Sequence, residues 1–290
     1  MILTDLTMAI ADAAYQALRE EVALAPKPGL VDPVSVGAHT DMDYPLFLAS
    51  AEALRPFFQA YLDQGRQATD LAALFEQTRA LGVRAEKAML AATAGINTHQ
   101  GANFTFGFLL ASLGWCLQTS SLAALQRADY APVWATLRDL TRGHLLSDFS
   151  ALKTRPPKTY GEKLYAEHGI IGIRGEAEAG YPLLQERLLP FLATDPHTGD
   201  LRYLRLMLLL MQTVEDTNLI HRGGITAWHQ VQQEAQELAK YDDAQLPDAL
   251  REYDQVLITR HLSPGGTADF LAVGYFFDHL AQIVNKERES

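Results

Sequence analysis

Apolar residues recur at helical spacing along most of the chain. In the range 3–24, Leu6, Ile10 and Ala17 are four and seven positions apart, as on one face of an α-helix. The same spacing predicts helices at about 45–64, 68–94, 102–117, 122–141, 175–193, 200–222, 226–240, 247–261 and 267–285. No run has the alternation or β-branched density of a sheet. We therefore expect an all-α fold, with about ten or more helices in one compact domain over 1–290.

One predicted helix, 102–117, is apolar almost all round, which is typical of a buried helix. Gly107 and Gly114 lie seven residues apart on its surface, so they share a face and favour close contact with another helix. The best candidate linker is Pro156-Pro157-Lys158-Thr159-Tyr160-Gly161. Helices of similar character lie on both sides of it, which supports one domain.

Five polar, glycine-containing segments lie at the edges of these helices. They are 26–43, 97–103, 172–180, 215–224 and 262–269. One such junction is an ordinary turn. Because free backbone N–H groups and the helix dipole attract anions at helix N-termini, five junctions together predict a shared polar pocket lined by helix ends.

The bulk composition limits the partners of such a pocket. A net charge of -11 argues against nucleic acid or an anionic membrane as a partner, although a local phosphate site remains compatible with it. No segment has the length of a membrane span, and Asp5 and Asp12 lie where a signal peptide is basic or apolar. With Cys116 as the only cysteine, no intramolecular disulfide can form. We expect a soluble, cytoplasmic protein with 48% hydrophobic residues in and around its core.

The segment 215–224 carries the densest chemistry, directly after a strongly apolar run. If the helix continues to residue 222, Glu215, Asn218 and Arg222 share one face, and Gly223-Gly224 ends it. The alternative is a helix end whose charges are simply solvated. An amide and an imidazole beside paired acids favour a site.

Three other segments could hold phosphate. Two prolines place Lys27 on a stiff loop, and Arg174 has the bidentate geometry that phosphate binding uses. The paired glycines of Ser263–Thr267 allow a phosphate to approach the backbone. The alternatives are a surface salt bridge for Arg174 and a Ser-Pro turn with a threonine cap for the last segment.

Carboxylates are better matched to Mg²⁺ than histidine and cysteine are to zinc, because no zinc-ligand spacing occurs in the chain. The candidate acids are Asp32, Asp41, Asp43, Glu215, Asp216 and Asp269. For most of them a helix cap or a solvated charge is the stronger interpretation. For Asp216 we favour a functional role.

Six motifs, taken together, resemble the triphosphoribosyl-dephospho-CoA synthase family. They are Pro26-Lys27-Pro28-Gly29-Leu30-Val31-Asp32, Gly37-Ala38-His39-x-Asp41-Met42-Asp43, Asn97-Thr98-His99-x-Gly101, Gly172-x-Arg174-Gly175-Glu176-Ala177, Glu215-Asp216-Thr217-Asn218-x-x-x-Arg222-Gly223-Gly224 and Ser263-Pro264-Gly265-Gly266-x-Ala268-Asp269. They span nearly the whole chain in order. The resemblance is closest to the citrate lyase branch, with the malonate decarboxylase branch next.

The resemblance implies a transferase that joins the 5-triphosphoribosyl group of ATP to the 2′-hydroxyl of 3′-dephospho-CoA and releases adenine. The product is the precursor of a prosthetic group that a holo-acyl-carrier-protein transferase later attaches to an acyl carrier subunit. Many relatives have lysine where this chain has Gln100, so no cationic role is assigned there.

This chemistry needs a base, charge compensation for a triphosphate and stabilisation of the leaving adenine. We assign catalytic roles to Asp216, Glu215, Asp41 and His99, with the base either Asp216 or Glu215. The phosphate- and nucleotide-binding set is Lys27, His39, Asn97, Arg174, Glu176, Asn218, His221, Arg222, Ser263, Gly265, Gly266 and Thr267. The candidate Mg²⁺ ligands are Asp216, Glu215, Asp32 and Asp269.

Two rival functions use the same residues. One is a helical Mg²⁺-dependent glycohydrolase that transfers ribosyl groups to water. The other is a noncatalytic helical module that binds CoA-like nucleotides or docks on a carrier protein, with the glycine segments serving packing alone. Release of adenine that requires dephospho-CoA distinguishes the transferase from both.

Overall fold

The helices lie close to where the apolar spacing predicts them. The computed structural model describes residues 3–145, 156–157 and 160–289. Its α-helices are α1 (Leu3–Ala23), α2 (Tyr44–Gln67), α3 (Leu71–Ala92), α4 (Gln100–Cys116), α5 (Leu122–Arg127), α6 (Ala131–Thr141), α7 (Tyr160–His168), α8 (Ile173–Ala179), α9 (Leu189–Thr194), α10 (Gly199–Thr213), α11 (Thr217–Leu238), α12 (Leu246–Thr259) and α13 (Gly265–Glu289). A π-helical segment, Leu184–Leu188, leads into α9. Since these residues contain no strand, the all-α prediction of one compact domain is confirmed.

Short polar side chains mark where several helices begin. Asp43 accepts a hydrogen bond from Leu46 N at 2.9 Å at the start of α2. Asp70 accepts one from Ala73 N at 2.8 Å at the start of α3. Each carboxylate satisfies a backbone N–H that has no partner within its helix.

The centre of the fold is the contact between α2 and α4. A Cβ atom added to Gly65 of α2 would lie 1.9 Å from Ala111 O, and one added to Gly114 of α4 would lie 2.1 Å from Leu62 O. The two backbones therefore touch, as the paired glycines predicted, and Gly107 lies against an aromatic ring of α2. The α4 helix is buried almost all round, while α13 packs against α1, α4 and α10.

Two predicted helices are interrupted in the structure. The range 122–141 forms α5 and α6, because Asp129 and Tyr130 adopt positive φ values of 48° and 57° between them. The range 175–193 breaks where Gly180 has φ 84°. Apolar spacing continues across both breaks because the helices on either side bury residues in the same core, so periodicity alone does not reveal them.

The predicted helix 200–222 is also wrong. The α10 helix ends at Thr213, and α11 begins at Thr217 with Asp216 as its cap. An aspartate side chain offers nearby N–H groups an alternative to helical pairing, which ends the first helix and starts the second. Glu215 therefore does not share a helix face with Asn218. The predicted stop at Gly223-Gly224 is a kink inside α11, where Gly224 has φ 76° and ψ 176°.

The candidate linker falls partly outside the described residues. Lys158 and Thr159 are among those that are not described, whereas Tyr160 begins α7. Within the part of the chain that is described, no helix is both long and apolar enough to cross a membrane.

Candidate active site

A cavity of about 850 Å³ lies among the helix ends. Each of the five polar segments contributes to its wall, for example through Lys27, Asn97, Arg174, Glu215 and Ser263. The predicted shared pocket is therefore confirmed. Its volume is within the usual range for small-molecule sites.

Most of the sequence-predicted site residues line this cavity. They are Lys27, His39, Asn97, His99, Arg174, Glu215, Asn218, His221, Arg222, Ser263, Gly265, Gly266 and Asp269. The other predicted residues, Asp32, Asp41, Glu176, Asp216 and Thr267, are not on its wall. Contacts with the protein explain where most of them lie instead.

Asp216 joins two helix N-termini. Its Oδ1 accepts hydrogen bonds from Asn218 N at 3.0 Å and Leu219 N at 3.1 Å. Its Oδ2 accepts from Thr267 N at 2.9 Å and Thr267 Oγ1 at 3.2 Å. Burial raises the pKa of this carboxyl, and the donated hydrogen bonds oppose that shift. Both donors of Thr267 bond to Asp216, and the role of Thr267 as a phosphate ligand stays a prediction.

Asp32 folds the loop that follows α1. Its Oδ1 accepts from Val34 N at 2.7 Å and Ser35 N at 2.8 Å, and its Oδ2 accepts from Lys27 N at 3.1 Å. Asp254, which the sequence did not single out, accepts from Ser35 Oγ at 3.0 Å. These two buried acids hold the loop in place and do not face the cavity.

Lys27 is buried and forms an ion pair with Glu21 of α1. Both residues line the cavity. Sequence reasoning missed Glu21, although Ile10, Ala14, Ala17 and Glu21 follow one another at four-, three- and four-residue steps, which places the glutamate on the buried face of α1. Burial raises the pKa of Glu21, and the Lys27 charge counteracts the shift. Lys27 is consequently a cation that already has one anionic partner.

Two predicted residues have roles beside the cavity. Glu176 accepts a hydrogen bond from Leu183 N at 3.2 Å and so fixes the chain after α8. Burial is the main reason that the pKa of Glu176 is raised. Asp41 is exposed, with Oδ1 at 4.0 Å from His39 Nδ1.

Arg222 ties three chain segments together at the rim of the cavity. Its Nη1 donates to Ala38 O at 3.0 Å and His261 O at 3.4 Å, and its Nη2 lies 3.2 Å from His39 Nδ1. A guanidinium only donates, so Nδ1 of His39 accepts and Nε2 carries the hydrogen. That Nε2–H donates to Ser263 Oγ at 2.9 Å. Burial, and then the Arg222 charge, lower the pKa of His39.

Asp269 of α13 lies against the start of α4. A Cβ added to Gly101 would be 2.0 Å from Asp269 Oδ2, and the backbone N–H of Ala102 donates to the carboxyl. Burial is the first reason that the pKa of Asp269 is raised well above its usual value, followed by the charges of Asp216 and Glu21. The first turn of α4 is therefore occupied by a protein carboxyl group.

His99 lies in the opposite situation, with one ring nitrogen unpaired. Its Nδ1 is 2.7 Å from Ser50 Oγ, which accepts a hydrogen bond from Thr98 Oγ1 at 2.6 Å. The imidazole is nearly perpendicular to the ring of Phe47, with centroids 4.9 Å apart. Its Nε2 is buried and has no hydrogen-bond partner among the described residues. Burial, with the charge of Lys27, lowers the pKa of His99 to about 3.

Aromatic rings form another part of the wall, which sequence reasoning missed. Phe108 lies 5.7 Å from Phe75 and 5.1 Å from Phe104, measured between ring centroids, and all three rings line the cavity. Arg79 of α3 is exposed and lines it too. In the sequence these aromatic residues are indistinguishable from core positions of α3 and α4.

The four predicted Mg²⁺ ligands do not converge. Within the described ranges, no three or more His, Cys, Asp and Glu side chains are grouped so that they could hold a metal ion. Of the four, Glu215 and Asp269 face the cavity. Because Mg²⁺ commonly uses one or two carboxylates with substrate phosphates and water, these two fit a metal that arrives with a nucleotide.

A comparison with protein families identifies the family of the chain. The family described as CitG: ATP:dephospho-CoA triphosphoribosyl transferase matches residues 7–288. The chain belongs to this family. The resemblance stated from six motifs is thus confirmed, and the chain is a transferase by membership.

Curated relatives agree over most of this transferase. A protein of Streptococcus equi subsp. zooepidemicus (strain H70), named "Probable 2-(5''-triphosphoribosyl)-3'-dephosphocoenzyme-A synthase", is 44% identical over 285 residues, 93% of this chain and 96% of the relative. A protein of the same name from Streptococcus mutans serotype c (strain ATCC 700610 / UA159) is 40% identical over 283 residues, with the same coverage. A solved structure from Archaeoglobus fulgidus that carries the name triphosphoribosyl-dephospho-coA synthase is 18% identical, with a TM-score of 0.46, covering 79% of this chain and 96% of that chain.

Proposed function

We propose that this transferase moves the 5-triphosphoribosyl group of ATP onto the 2′-hydroxyl of 3′-dephospho-CoA within the cavity described above, and that the whole chain, 1–290, acts as one catalytic domain. The observation that carries the proposal is the set of side chains that line this one cavity. A carboxylate, several cations and an aromatic surface all face it. These are the groups that a base, a triphosphate and a purine require.

The triphosphate is assigned to the arginine side of the cavity. Arg174 and Arg222 are exposed side chains on its wall, and Arg79 adds a third guanidinium. Guanidinium groups bind phosphate oxygens in bidentate fashion. Lys27 has one of its donors on Glu21 and contributes through its remaining donors. Gly265 and Gly266 line the same wall, and their missing side chains leave space that Asn218 and Asp216 fill.

Glu215 is our choice for the base. It is exposed on the cavity wall, whereas the neighbouring Asp216 has its oxygens occupied by protein donors. In the transfer, the bond between C1′ of the ribose and N9 of adenine breaks with its electron pair on adenine. The 2′-oxygen of dephospho-CoA bonds to C1′, Glu215 takes the hydroxyl proton, and the departing adenine takes up one proton from solvent.

Mg²⁺ is included in the proposal as part of the nucleotide complex. With Glu215 assigned as the base, Asp269 is the candidate ligand on the wall. A divalent cation supplies charge neutralisation for a triphosphate. Burial raises the pKa of Asp269, and a divalent cation bound there would favour the ionised form of its carboxyl group.

The decisive assay follows adenine. Protein, ATP and Mg²⁺ are incubated with and without dephospho-CoA, and adenine is measured by chromatography. We expect release only with dephospho-CoA. Release at the same rate without it would establish a glycohydrolase, and no release in either mixture would reject both activities.

A single displacement is expected to invert the configuration at C1′. The anomeric configuration of the product can be read by nuclear magnetic resonance of the ribose protons. Isolation of a covalent ribosyl-enzyme would replace this mechanism with a double displacement.

We extend the proposal to the pathway that uses the product, and we place the enzyme and its downstream partner in the cytoplasm. The citrate lyase branch is preferred because the six motifs resemble it most closely, and the malonate decarboxylase branch is the alternative. Both branches use the same product, so the two are distinguished by which acyl carrier subunit receives it. The product is offered, with a holo-acyl-carrier-protein transferase, to the acyl carrier subunit of each system, and labelling of the citrate lyase carrier is expected.

A further inference from the structure

The buried hydroxyl groups around His99 fix the position of its hydrogen. Thr98 Oγ1 donates to Ser50 Oγ at 2.6 Å, so that oxygen already accepts one hydrogen bond. Ser50 is fully buried, and its own hydrogen must find an acceptor. Among the described residues the acceptor in reach is His99 Nδ1, at 2.7 Å. Nδ1 therefore accepts, and the hydrogen of the neutral imidazole is on Nε2.

That Nε2–H group is a buried donor without a protein acceptor. His99 is 3% exposed and lines the cavity, and its Nε2 has no partner among the described residues. A buried unpaired donor is destabilising, so a native structure that keeps one has a reason for it. A ligand that brings an acceptor into the cavity supplies that reason.

The chemistry of the surroundings indicates which acceptor is expected. The first turn of α4, which His99 precedes, already has a protein carboxyl from Asp269 against it, so a phosphate is not needed at this helix end. The ring of Phe47 packs nearly perpendicular to the imidazole, and Phe75, Phe104 and Phe108 of α3 and α4 line the cavity. A neutral donor beside apolar rings suits a purine ring nitrogen.

We propose that Thr98 and Ser50 are positioning residues that hold His99 as the neutral Nε2–H tautomer, and that this N–H group donates a hydrogen bond to a ring nitrogen, N3 or N7, of the departing adenine of ATP. This rests on the proposed transfer reaction. As the bond from C1′ to N9 breaks, the electron pair spreads over the purine ring. The Nε2–H group stabilises that charge, and His99 keeps its proton throughout, so the proton balance of the transfer is unchanged.

The tautomer is tested first, by a measurement that does not depend on activity. Full-length protein labelled with ¹⁵N in histidine is studied by long-range ¹H–¹⁵N correlation, and the His99 signals are identified by their absence in His99→Gln. We expect a protonated Nε2 and an unprotonated Nδ1 from pH 8 to pH 6. A protonated Nδ1, or a titration near pH 6.5, would show that Thr98 and Ser50 do not hold His99 as the neutral Nε2–H tautomer, whether or not the enzyme is a transferase.

The positioning role is tested with paired serine substitutions. Ser50→Ala should lower kcat by about 10- to 100-fold, as loss of an outer partner of an imidazole does, leave KM for ATP nearly unchanged and give mixed His99 tautomers. Ser50→Thr should restore both properties. Ser112→Ala is the matched control, because Ser112 is also fully buried on a helix but has no hydrogen-bond partner among the described residues. Wild-type kcat and a single tautomer in Ser50→Ala would contradict the proposal.

The contact with adenine is tested by removing each partner in turn. For wild type, 3-deaza-ATP or 7-deaza-ATP should be about 100-fold slower than ATP in adenine-analogue release, because one donor to developing charge is worth that much. In His99→Phe the same analogue should cause no further loss, while His99→Gln, which retains an N–H donor, should recover part of the rate. Full additivity of the substitution and both analogues would show that His99 does not contact that ring, even if the transferase activity itself is confirmed.

Discussion

Two corners of the cavity, one around Asp216 and the other around His99, treat their polar groups in opposite ways. At the first, the carboxylate accepts hydrogen bonds from two helix starts and is hidden from the cavity. At the second, a serine fixes one ring nitrogen of a histidine on the cavity wall, and the other ring nitrogen is buried with no hydrogen-bond partner among the described residues. The contrast is that Asp216 has its hydrogen bonds completed within the protein, whereas His99 keeps one ring nitrogen that a ligand can still reach under our proposal.

The largest effect is expected from removing the carboxylate of Asp216. Asp216→Ala removes a helix cap, worth about 1 kcal/mol, and leaves the buried donors of Thr267 unpaired, at about 1–3 kcal/mol each. We expect a loss of about 4 kcal/mol in the free energy of unfolding, measured by urea denaturation. Glu215→Ala, next to it but exposed, should change that free energy by less than about 0.5 kcal/mol. Equal stability of the two variants would show that Asp216 is not the junction.

The reverse pattern is expected for activity. Glu215→Gln removes the proposed base, so kcat should fall by about 100-fold or more while the urea midpoint is unchanged. Glu186→Gln, an exposed acid outside the cavity wall, should keep wild-type kcat. If Glu215→Gln turns over normally, the base must be sought elsewhere on the wall.

A smaller effect is expected from lowering the pH, which protonates His99 in the unfolded chain. The folded protein lowers the pKa of His99 to about 3, below the ordinary value of about 6.5. Between these values the unfolded chain binds the proton more readily, so this contribution is complete above pH 6.5 and is lost as pH falls. The free energy of unfolding should drop by about 1 kcal/mol more between pH 6.5 and 5.5 in wild type than in His99→Gln. Identical pH profiles would place the imidazole in contact with water.

The smallest effect is expected at the exposed end of the same segment. Gln100 Nε2 donates to Glu86 Oε1 at 2.5 Å, and both residues lie on the cavity wall. Gln100→Lys exchanges this contact for an exposed ion pair, worth about 0–1 kcal/mol, so kcat and KM should change by less than about threefold. A larger change, measured in the adenine assay, would give residue 100 a part in binding substrate.

Sequence reasoning located the walls of this site better than the roles of individual residues. The burial of α4 and its glycine contact follow from composition within a single segment, and the five polar segments do meet. The helix break before Thr217 does not show in the apolar spacing, because Met211, Leu219 and Ile220 are buried on both sides of it. That break changed the interpretation of Glu215 and Asp216.

Contacts between distant positions account for most of what was missed. The hydrogen bond from Ser50 to His99 joins residues 49 positions apart, and no local pattern marks a serine in an ordinary amphipathic helix as its donor. The helical spacing of α1 does place Glu21 on its buried face. Its partner Lys27 lies beyond the end of the helix, so the ion pair itself does not show in that spacing. Such pairs become visible only when the helices are placed in space.

The glycine joint between α2 and α4 has a consequence for how this enzyme can vary. Ser50 belongs to α2 and His99 immediately precedes α4, so their 2.7 Å contact is held by the pair of helices whose backbones touch at Gly65 and Gly114. A joint without side chains has no atoms that substitution can remove, and each added methyl group pushes the helices apart. Any substitution of Gly65 or Gly114 therefore adds atoms between the helices and increases the distance between Ser50 and His99.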